Sequence, residues 1–506
     1  MANHLFLPLV VPLISAAVAT LVVRQRGWVR LIAMIATLFN LGYSIWLLTL
    51  VAASGRQVAQ AGAWAAPFGI SLVGDGLAAI MLSLTALMML VTLVYSFETI
   101  DVRKERFYYY PLLLLLLFGC SGAFLTGDLF NLYVWFEVLL VASFGLITIG
   151  GSRGQLEGGL KYVVLNLLGS TAFLVGAGLV YGVTGTLNMA HIAERLSGVQ
   201  SASLVTAIAG FFLFAFSSKA GLAPIFFWLP TSYHTPPIAV SALFSGLLTK
   251  VGVYALYRVL GTVFQHELAR LGPLILVVAG ATMVVGVIGA MAQVNVRRIL
   301  SFHIISQVGY MIMGLGLVGV AGLAAGILYM VHHIVVKTAL FLIGGAAEHL
   351  AGTGELKQMG GMAKREPVLA ILWVLASFSL AGLPPLSGFF GKLGLIQVGV
   401  AQGQWAIVGV AAAVSLLTLF SMLKIWNEVF WKKPHGDISA MPRATVNLVT
   451  PAAILVAVSI AIGFGAAPVF DYSQMAADQV FDIPSLVRDV CGDAGCDAVT
   501  SAAARP

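Results

Sequence analysis

Ionisable side chains lie in the middle of long apolar runs of this chain, where a hydrocarbon environment makes charge expensive. Glu137 lies in Tyr133-Val-Trp-Phe-Glu-Val-Leu-Leu140, and Lys219 and Lys250 are similarly central in two later runs. On insertion scales, each charge at mid-membrane depth costs about 2.5–3.5 kcal/mol. Because a structural purpose alone seldom justifies several such residues, we expect them to carry chemistry.

Basic residues continue this pattern in the second half of the chain. His333 and Lys337 are central in one run and one helical turn apart, so they share a helix face. Lys392 is in the next run, about 12 Å from mid-depth at 1.5 Å per residue. Lys424 differs, because it is near the end of its run and can extend its amine to the surface.

The excess of lysine over glutamate indicates what chemistry these residues perform. Desolvation and neighbouring cations both disfavour the protonated form of a buried amine, and histidine already exchanges protons near neutral pH. The sequence therefore predicts a proton relay. Its residues are Glu137, Lys219, Lys250, His333, Lys337 and Lys392. A structural ion pair between the glutamate and one of the first two lysines is the alternative, although it leaves the other lysines unexplained.

Three further histidines are expected to have structural roles. His332 faces about 100° away from its neighbour on a helix, so we expect it to pack or to hydrogen-bond. We expect the same of His234 and His303, which are predicted near the inner surface.

The elements that position these residues are predicted to be membrane-spanning helices. The chain of 506 residues is 60% hydrophobic and only 9% charged, whereas soluble proteins carry roughly 25% charged residues. About 20 apolar residues cross a bilayer, and a helix satisfies its own backbone there. Fourteen apolar runs fit this length: 4–23, 28–52, 76–97, 108–126, 129–150, 159–183, 204–228, 237–260, 270–292, 298–319, 321–347, 367–401, 404–430 and 446–466.

One short motif occurs twice within these runs. Ala220-Gly-Leu-Ala-Pro224 recurs as Ala381-Gly-Leu-Pro-Pro385, in runs seven and twelve. The two copies cross the membrane in opposite directions, which is typical of an inverted repeat. Proline and glycine together should break each helix, although two ordinary proline kinks are the alternative. The predicted breaks comprise Gly221, Pro224, Gly382, Pro384 and Pro385.

The distribution of basic residues predicts the orientation of the helices. Arginines and lysines concentrate in alternate loops, such as Arg24-Gln-Arg26 and 101–106. The positive-inside rule then places both termini outside the cytoplasm. The outer side would hold Arg56, Arg195 and Arg258.

The tail after the last run is acidic and contains Cys491 and Cys496. A local disulfide between them and two free thiols on a disordered tail are both open. The third cysteine, Cys120, is expected to be a small apolar residue in a helix. The sequence contains no phosphate-binding glycine loop, nucleophile elbow or zinc motif, so neither an enzyme nor a cofactor is expected, and nothing indicates nucleic-acid binding.

Three stretches carry a family resemblance: Thr126-Gly-Asp-Leu-Phe-Asn-Leu-Tyr-Val-Trp-Phe-Glu-Val-Leu-Leu140, Ser218-Lys-Ala-Gly-Leu-Ala-Pro-Ile-Phe-Phe-Trp-Leu-Pro230 with Thr235-Pro-Pro237, and Arg298-Ile-Leu-Ser-Phe-His-Ile-Ile-Ser-Gln-Val-Gly-Tyr310. From about residue 5 to 465 the chain resembles the D-type subunits of Mrp multisubunit sodium/proton antiporters, in the family that includes the proton-pumping subunits of respiratory complex I. The third stretch marks the wider family.

The resemblance implies an all-α membrane protein with about 14 crossings, of which the seventh and twelfth are discontinuous. It implies two inverted five-helix units, crossings 4–8 and 9–13. The expected divisions are 1–107, 108–260, 270–430, 446–466 and an extracytoplasmic acidic tail, 471–506. Five of the relay residues match the proton-handling positions of the family, and they are Glu137, Lys219, Lys250, Lys337 and Lys392.

The resemblance also implies a place in the bacterial plasma membrane and a hetero-oligomer with A-, B-, C-, E-, F- and G-type Mrp subunits, surrounded by lipid. Protons and Na⁺ would be the transported ions, and a partner subunit is expected to complete the cation site. Two alternatives stay open: an M- or N-type proton-pumping subunit of a redox complex, and a structural membrane scaffold.

Overall fold

The computed structural model describes residues 2–196, 198–199, 201–433 and 441–497. Within these residues, 12 helices are long and apolar enough to cross a membrane, and three shorter apolar helices accompany them. Of the shorter helices, Tyr109–Leu125 counts as one crossing, and Pro367–Ala381 with Ser387–Ala401 counts as one broken crossing. Together with the 12 long helices they agree with the prediction of about fourteen crossings. The principal helices are α1 (Leu7–Leu21), α2 (Arg26–Ser54), α3 (Gly76–Thr99), α4 (Val102–Arg106), α5 (Tyr109–Leu125), α6 (Leu129–Thr148), α7 (Arg153–Thr184), α8 (Met189–Leu196), α9 (Ala202–Ala220), α10 (Trp228–Ser232), α11 (Ile238–Arg258), α12 (Gln265–Ala292), α13 (Val296–Gly316), α14 (Val320–Ala351), α15 (Met362–Arg365), α16 (Pro367–Ala381), α17 (Ser387–Ala401), α18 (Trp405–Ile425), α19 (Val446–Phe464), α20 (Ala466–Phe481) and α21 (Ile483–Cys491).

Three helices form the centre of the bundle. The apolar stretch of α14 is buried along its whole length, and the apolar stretches of α11 and α13 are 94% buried. By contrast, less than 40% of the apolar stretch is buried in α1, α2, α7 and α18. The central helices carry buried lysines and histidines, which therefore lie far from any lipid: Lys250, His303, His332, His333 and Lys337.

The seventh and twelfth crossings are both broken, as predicted. Helix α9 ends at Gly221 and α16 ends at Gly382, each in the left-handed region, with φ of 75° and 89°. Glycine reaches this region without the steric cost that a Cβ imposes. At each break the N–H of the following leucine reaches back five residues, from Leu222 to the Ser217 carbonyl and from Leu383 to the Phe378 carbonyl.

The two breaks thus share their hydrogen bonding at a constant offset of 161 residues, which agrees with the inverted repeat. The division of the chain into two five-helix units stays a prediction.

The C-terminal segment is ordered as two helices that pack on one end of the bundle, here called the tail end. Within α20, the Gln479 side chain accepts a hydrogen bond from the Gly76 N–H at 2.7 Å, and the Val480 carbonyl accepts one from Thr262 at 3.1 Å. Cys491 and Cys496 form a disulfide. The described part of the tail, through residue 497, is therefore a helical cap, and the alternative of a disordered tail with free thiols is wrong for it.

A short antiparallel hairpin lies beside this cap. Strands β1 (Gln57–Gln60) and β2 (Ser71–Gly74) pair Gln57 with Gly74. Gln60 donates a hydrogen bond to the Val490 carbonyl at 3.1 Å, so the hairpin ties α21 to the second and third crossings.

Alanine at either break should destabilise the protein. An L-residue in the left-handed region costs about 1–2 kcal/mol, and a Cβ at Gly221 would lie 2.9 Å from Leu229 Cδ1, whereas one at Gly382 would lie 2.9 Å from Lys392 Cδ. We expect Gly221→Ala and Gly382→Ala to lower the melting temperature of the purified protein. Gly178→Ala is the matched control, because a Cβ there meets nothing within 4 Å. Wild-type melting of both break variants would contradict the assigned backbone geometry.

Candidate functional site

Glu137 of α6 and Lys219 of α9 are near enough to interact electrostatically. The Lys219 ammonium is 3.0 Å from Ser170 Oγ and 4.7 Å from the centroid of the Phe136 ring. Glu137 is half-buried, and its Oε1 has no hydrogen-bond partner among the described residues. Within that part of the chain no ion pair of 4.0 Å or less joins this glutamate to a lysine. The two groups are neighbours that are not locked into a structural salt bridge.

A cavity of about 20 Å³ adjoins the Lys219 side chain. Its polar lining comes from Tyr162, Asn166 and Tyr233, and its apolar lining includes Leu248 of α11. A cavity of about 10–15 Å³ suffices for one water molecule when polar partners surround it. The cavity can therefore hold a water that extends the reach of Lys219 toward α11.

Lys250 is fully buried in α11, close to where this helix meets the first break. Its ammonium donates a hydrogen bond to the Ser245 carbonyl at 2.5 Å. The helices touch at Gly252, where an added Cβ would lie 2.7 Å from the Ala220 nitrogen. This glycine lets the backbone that carries Lys250 approach the end of the helix that carries Lys219.

His333 and Lys337 lie on one face of α14 and are fully buried. Both ring nitrogens of His333 and the ammonium of Lys337 lack a hydrogen-bond partner among the described residues. Lys250 and Lys337 are near enough to act electrostatically on the His333 ring. A buried cation without an acceptor is unfavourable, so these side chains are poor structural anchors and good candidates for binding a mobile proton.

Lys392 reaches back from α17 to the second break. Its ammonium donates hydrogen bonds to the Leu380 and Ala381 carbonyls and to Ser415 Oγ, each at 3.0 Å. These carbonyls end α16, where the helix dipole favours a cation. The long side chain thus brings its charge to the broken backbone, although its Cα is further along the crossing.

Two histidines that were assigned structural roles from the sequence lie close to the predicted relay residues. His332 Nδ1 is 2.8 Å from Ser387 Oγ, which confirms the expected hydrogen bond and also joins His332 to the second break. His303 Nε2 is 2.9 Å from Ser421 Oγ. Lys337 and Lys392 both act electrostatically on His303, which therefore lies within electrostatic range of each lysine. The expected structural role of His234 stands, since its Nδ1 is 2.7 Å from the Pro230 carbonyl of its own turn.

Arg258, a basic residue that the sequence analysis places on the outer side, lies at the tail end but is buried. This arginine is only 5% exposed, and its guanidinium forms a two-point ion pair with Asp75 at 2.5 and 2.7 Å. Asp75 lies one residue outside the third crossing and caps α3. Burial opposes ionisation of this carboxyl, but the Arg258 guanidinium holds its pKa below the usual range. The pair is therefore charged although it is buried.

Comparisons with known proteins give matches over most of the chain. The family model for NADH:quinone oxidoreductase/Mrp antiporter transmembrane proteins matches residues 126–418. The D-type subunit of the Na(+)/H(+) antiporter of Alkalihalophilus pseudofirmus is 46% identical over 491 residues, which cover 97% of this chain and 99% of the relative. The protein of the same name from Bacillus subtilis is 39% identical, over 97% of this chain and 99% of the relative.

Two solved structures resemble the chain over most of its length. A chain of the Mrp complex from Dietzia sp. DQ12-45-1b has a TM-score of 0.92 and 34% identity, and the match covers 97% of this chain and 100% of that one. A chain of respiratory complex I from Thermus thermophilus has a TM-score of 0.83 at 22% identity, over 95% of this chain and 99% of that one, which shows a shared fold.

The carboxyl that caps α6 provides a pH-dependent test of the structure. Partial burial raises the pKa of Asp128 to about 6, against the lowering effect of the Asn131 and Phe130 N–H groups. The folded protein therefore holds this proton more tightly than the unfolded chain, and stability decreases as pH rises from about 4 to 6. Asp128→Asn keeps a capping side chain and removes this dependence. We expect the melting temperature of the variant, relative to wild type, to increase across that range.

Asp101→Asn is the control with the opposite sign. The hydrogen bond from Lys104 lowers the pKa of Asp101, so the wild-type carboxylate contributes stability above about pH 4 that is lost as pH falls. Parallel pH profiles for the two variants would contradict the assigned environment of Asp128.

Proposed function

The chain belongs to the NADH:quinone oxidoreductase/Mrp antiporter transmembrane family, and on that premise we propose that it is the proton-translocating subunit of a multisubunit sodium/proton antiporter. The observation that carries this proposal is the unpartnered, fully buried pair of His333 and Lys337 at the centre of the bundle. The two curated relatives are named as D-type subunits of Na(+)/H(+) antiporters, which supports sodium as the exchanged ion. The activity is that of a secondary transporter subunit.

Proton transfer starts, in this proposal, at Glu137 and Lys219. A proton on the carboxylate passes to the amine, and the Phe136 ring stabilises the resulting ammonium by a cation–π contact. The next transfer, to Lys250, takes place where the backbones of α9 and α11 touch at Gly252.

The second part of the path uses repulsion between like charges. A proton that arrives on Lys250 disfavours a proton on His333, and the same holds between His333 and Lys337, because buried charges interact strongly in a medium of low permittivity. Each arrival therefore drives the next release. His303 continues the path from Lys337 to Lys392, where the carbonyls of the broken helix receive the charge.

The exposed face of α6 supports assembly with other subunits. Its apolar members are 39% to 70% exposed, and they are Phe130, Val134, Val141 and Phe144. Half-buried Glu137 lies in the middle of this stripe, which is unfavourable against lipid. A polar group on a partner subunit would remove this cost. We therefore propose that this face contacts another Mrp-type subunit, from the set of A, B, C, E, F and G types, and that the cation site is completed there.

The host membrane is proposed to be the bacterial plasma membrane, with both termini outside the cytoplasm. The loop arginines and lysines support this orientation through the positive-inside rule. In that membrane each proton that crosses yields about 2.3 kcal/mol per 100 mV, which is the energy available for expelling sodium.

Removal of the carboxylate should abolish exchange. We expect Glu137→Gln to reduce sodium-driven proton movement at least tenfold in everted membrane vesicles that contain this chain with its gene neighbours, because the amide cannot bind a transferable proton at this position. The matched control is Glu157→Gln, an exposed residue that pairs with Lys161 on the surface of α7. Wild-type exchange by Glu137→Gln would contradict the proposal and favour a structural role.

A proton-pumping subunit of a redox complex is distinguished by its neighbours. Such a subunit would be encoded with cofactor-binding subunits, and its vesicles would show proton uptake that depends on a reductant and not on sodium.

A further inference from the structure

Three polar residues lie along one face of α11 and lead from mid-bundle to the tail end. Lys250, Tyr254 and Arg258 are each four residues apart, so they follow one another by about 6 Å along the helix axis. All three are buried, with exposures of 0%, 0% and 5%. The Lys250 ammonium is bonded to the Ser245 carbonyl, away from the tail end, but residues four apart are neighbours on a helix surface. A swing of the flexible Lys250 side chain toward Tyr254 would therefore open a route by which its proton leaves the relay.

The Asp75–Arg258 pair closes the far end of this row. Among the described residues it is the one ion pair in which both side chains are less than 10% exposed, at 6% for the arginine and 0% for the aspartate. An arginine guanidinium keeps its proton in proteins, so Arg258 cannot pass a proton on.

Tyr254, the hydroxyl between the two basic groups, has its hydrogen-bonding capacity fully used. Its O–H donates to the Phe124 carbonyl at 2.6 Å, and its oxygen accepts from Arg258 Nε at 3.2 Å and from Arg258 Nη2 at 3.1 Å. A phenolic oxygen with one committed proton and two occupied lone pairs cannot accept a proton from Lys250. The guanidinium therefore blocks the row by occupying this hydroxyl.

The C-terminal cap closes the space beyond the pair. A void of only about 10 Å³ lies next to Arg258, and Leu486 and Val490 of α21 form part of its wall. Arg56, whose side chain is 3% exposed, donates hydrogen bonds to the Gln479 carbonyl and to Asp489, both at 2.7 Å, and so fixes the cap over this end. Apolar side chains and a void of this size leave no continuous water path.

The second half of the chain has no counterpart to this arrangement in sequence. At the repeat offset of 161 residues, Lys250, Tyr254 and Arg258 correspond to Ala411, Ser415 and Leu419. The row of Lys250, Tyr254 and Arg258 is therefore a feature of the first half of the chain and is not repeated in the second.

We propose that the Asp75–Arg258 ion pair is a seal that, by holding the Tyr254 hydroxyl, keeps protons on Lys250 from leaking along α11 to the tail end. Asp75 and Arg258 are thus positioning residues that act through Tyr254 and Lys250. The proposal rests on the proton-translocating function proposed above.

Neutralising both partners tests the seal, because removing one would leave a buried charge unpaired. In vesicles that contain the full complex, we expect Asp75→Asn with Arg258→Gln to speed the decay of an imposed pH gradient at least threefold in sodium-free buffer. Adding Tyr254→Phe should return the decay to the wild-type rate, because this change removes the hydroxyl that would carry the leaking proton once Arg258 no longer occupies it. A loss of packing alone would not be reversed by this third change.

The matched control is the double change Arg297→Gln with Glu348→Gln. This two-point ion pair, at 2.7 and 2.8 Å, joins α13 to α14 away from the tail end. We expect its loss to leave the decay of the gradient at the wild-type rate. A second design, Asp75→Asn with Arg258→Met, carries the same expectation of a leak if the glutamine variant does not assemble.

A neutralised variant that assembles at the wild-type level and keeps the wild-type decay would overturn the seal. So would a leak of equal size in the control. Failure of the proposed function gives a different result, in which the wild-type complex itself shows no sodium-driven proton movement.

Discussion

The cost of placing ammonium groups at membrane depth determines how this bundle is built. Each such charge costs about 2.5–3.5 kcal/mol on insertion scales, so the helices that carry them must be surrounded by other helices. The central position of α11, α13 and α14 satisfies this requirement, and it leaves the more exposed positions to helices without mid-span lysines, such as α1 and α2. The lysines beside the breaks in crossings seven and twelve have polar surroundings of another kind. Free carbonyls lie beside Lys392, and a small polar cavity lies beside Lys219.

The sequence predicted the crossings and breaks well because these depend on local chemistry. Apolar length decides whether a segment spans, and glycine followed closely by proline decides where its helix ends. The face shared by His333 and Lys337 follows from the helical repeat in the same way. The apolar run placed the start of α7 too late, at residue 159. A capping box between Ser152 and Gln155 begins this helix at Arg153.

Contacts between residues far apart in the chain could not be predicted from the sequence. Arg258 lies at the end of an apolar run, where an arginine can either extend to the surface or pair in the interior. Its partner Asp75 is 183 residues away, so no local pattern could decide between these outcomes. The same limit applies to His303, whose bond to Ser421 spans 118 residues. The ordered tail could have been recognised from its alternation of apolar and acidic residues, which gives α20 and α21 one face that packs on the bundle.

In the proposed relay, Lys337 of α14, whose ammonium has no hydrogen-bond partner among the described residues, is the residue whose protonation every transfer to the second half requires. Lys337→Gln preserves much of the side-chain volume and removes the ionisable group, and Lys424→Gln is its control, because that ammonium donates to the Met291 and Gln293 carbonyls at the end of α12. The measurement is sodium-driven proton flux in proteoliposomes that contain the purified complex. The relay predicts at least a tenfold loss for Lys337→Gln and a rate within twofold of wild type for Lys424→Gln. Full flux through the assembled Lys337→Gln complex would contradict it.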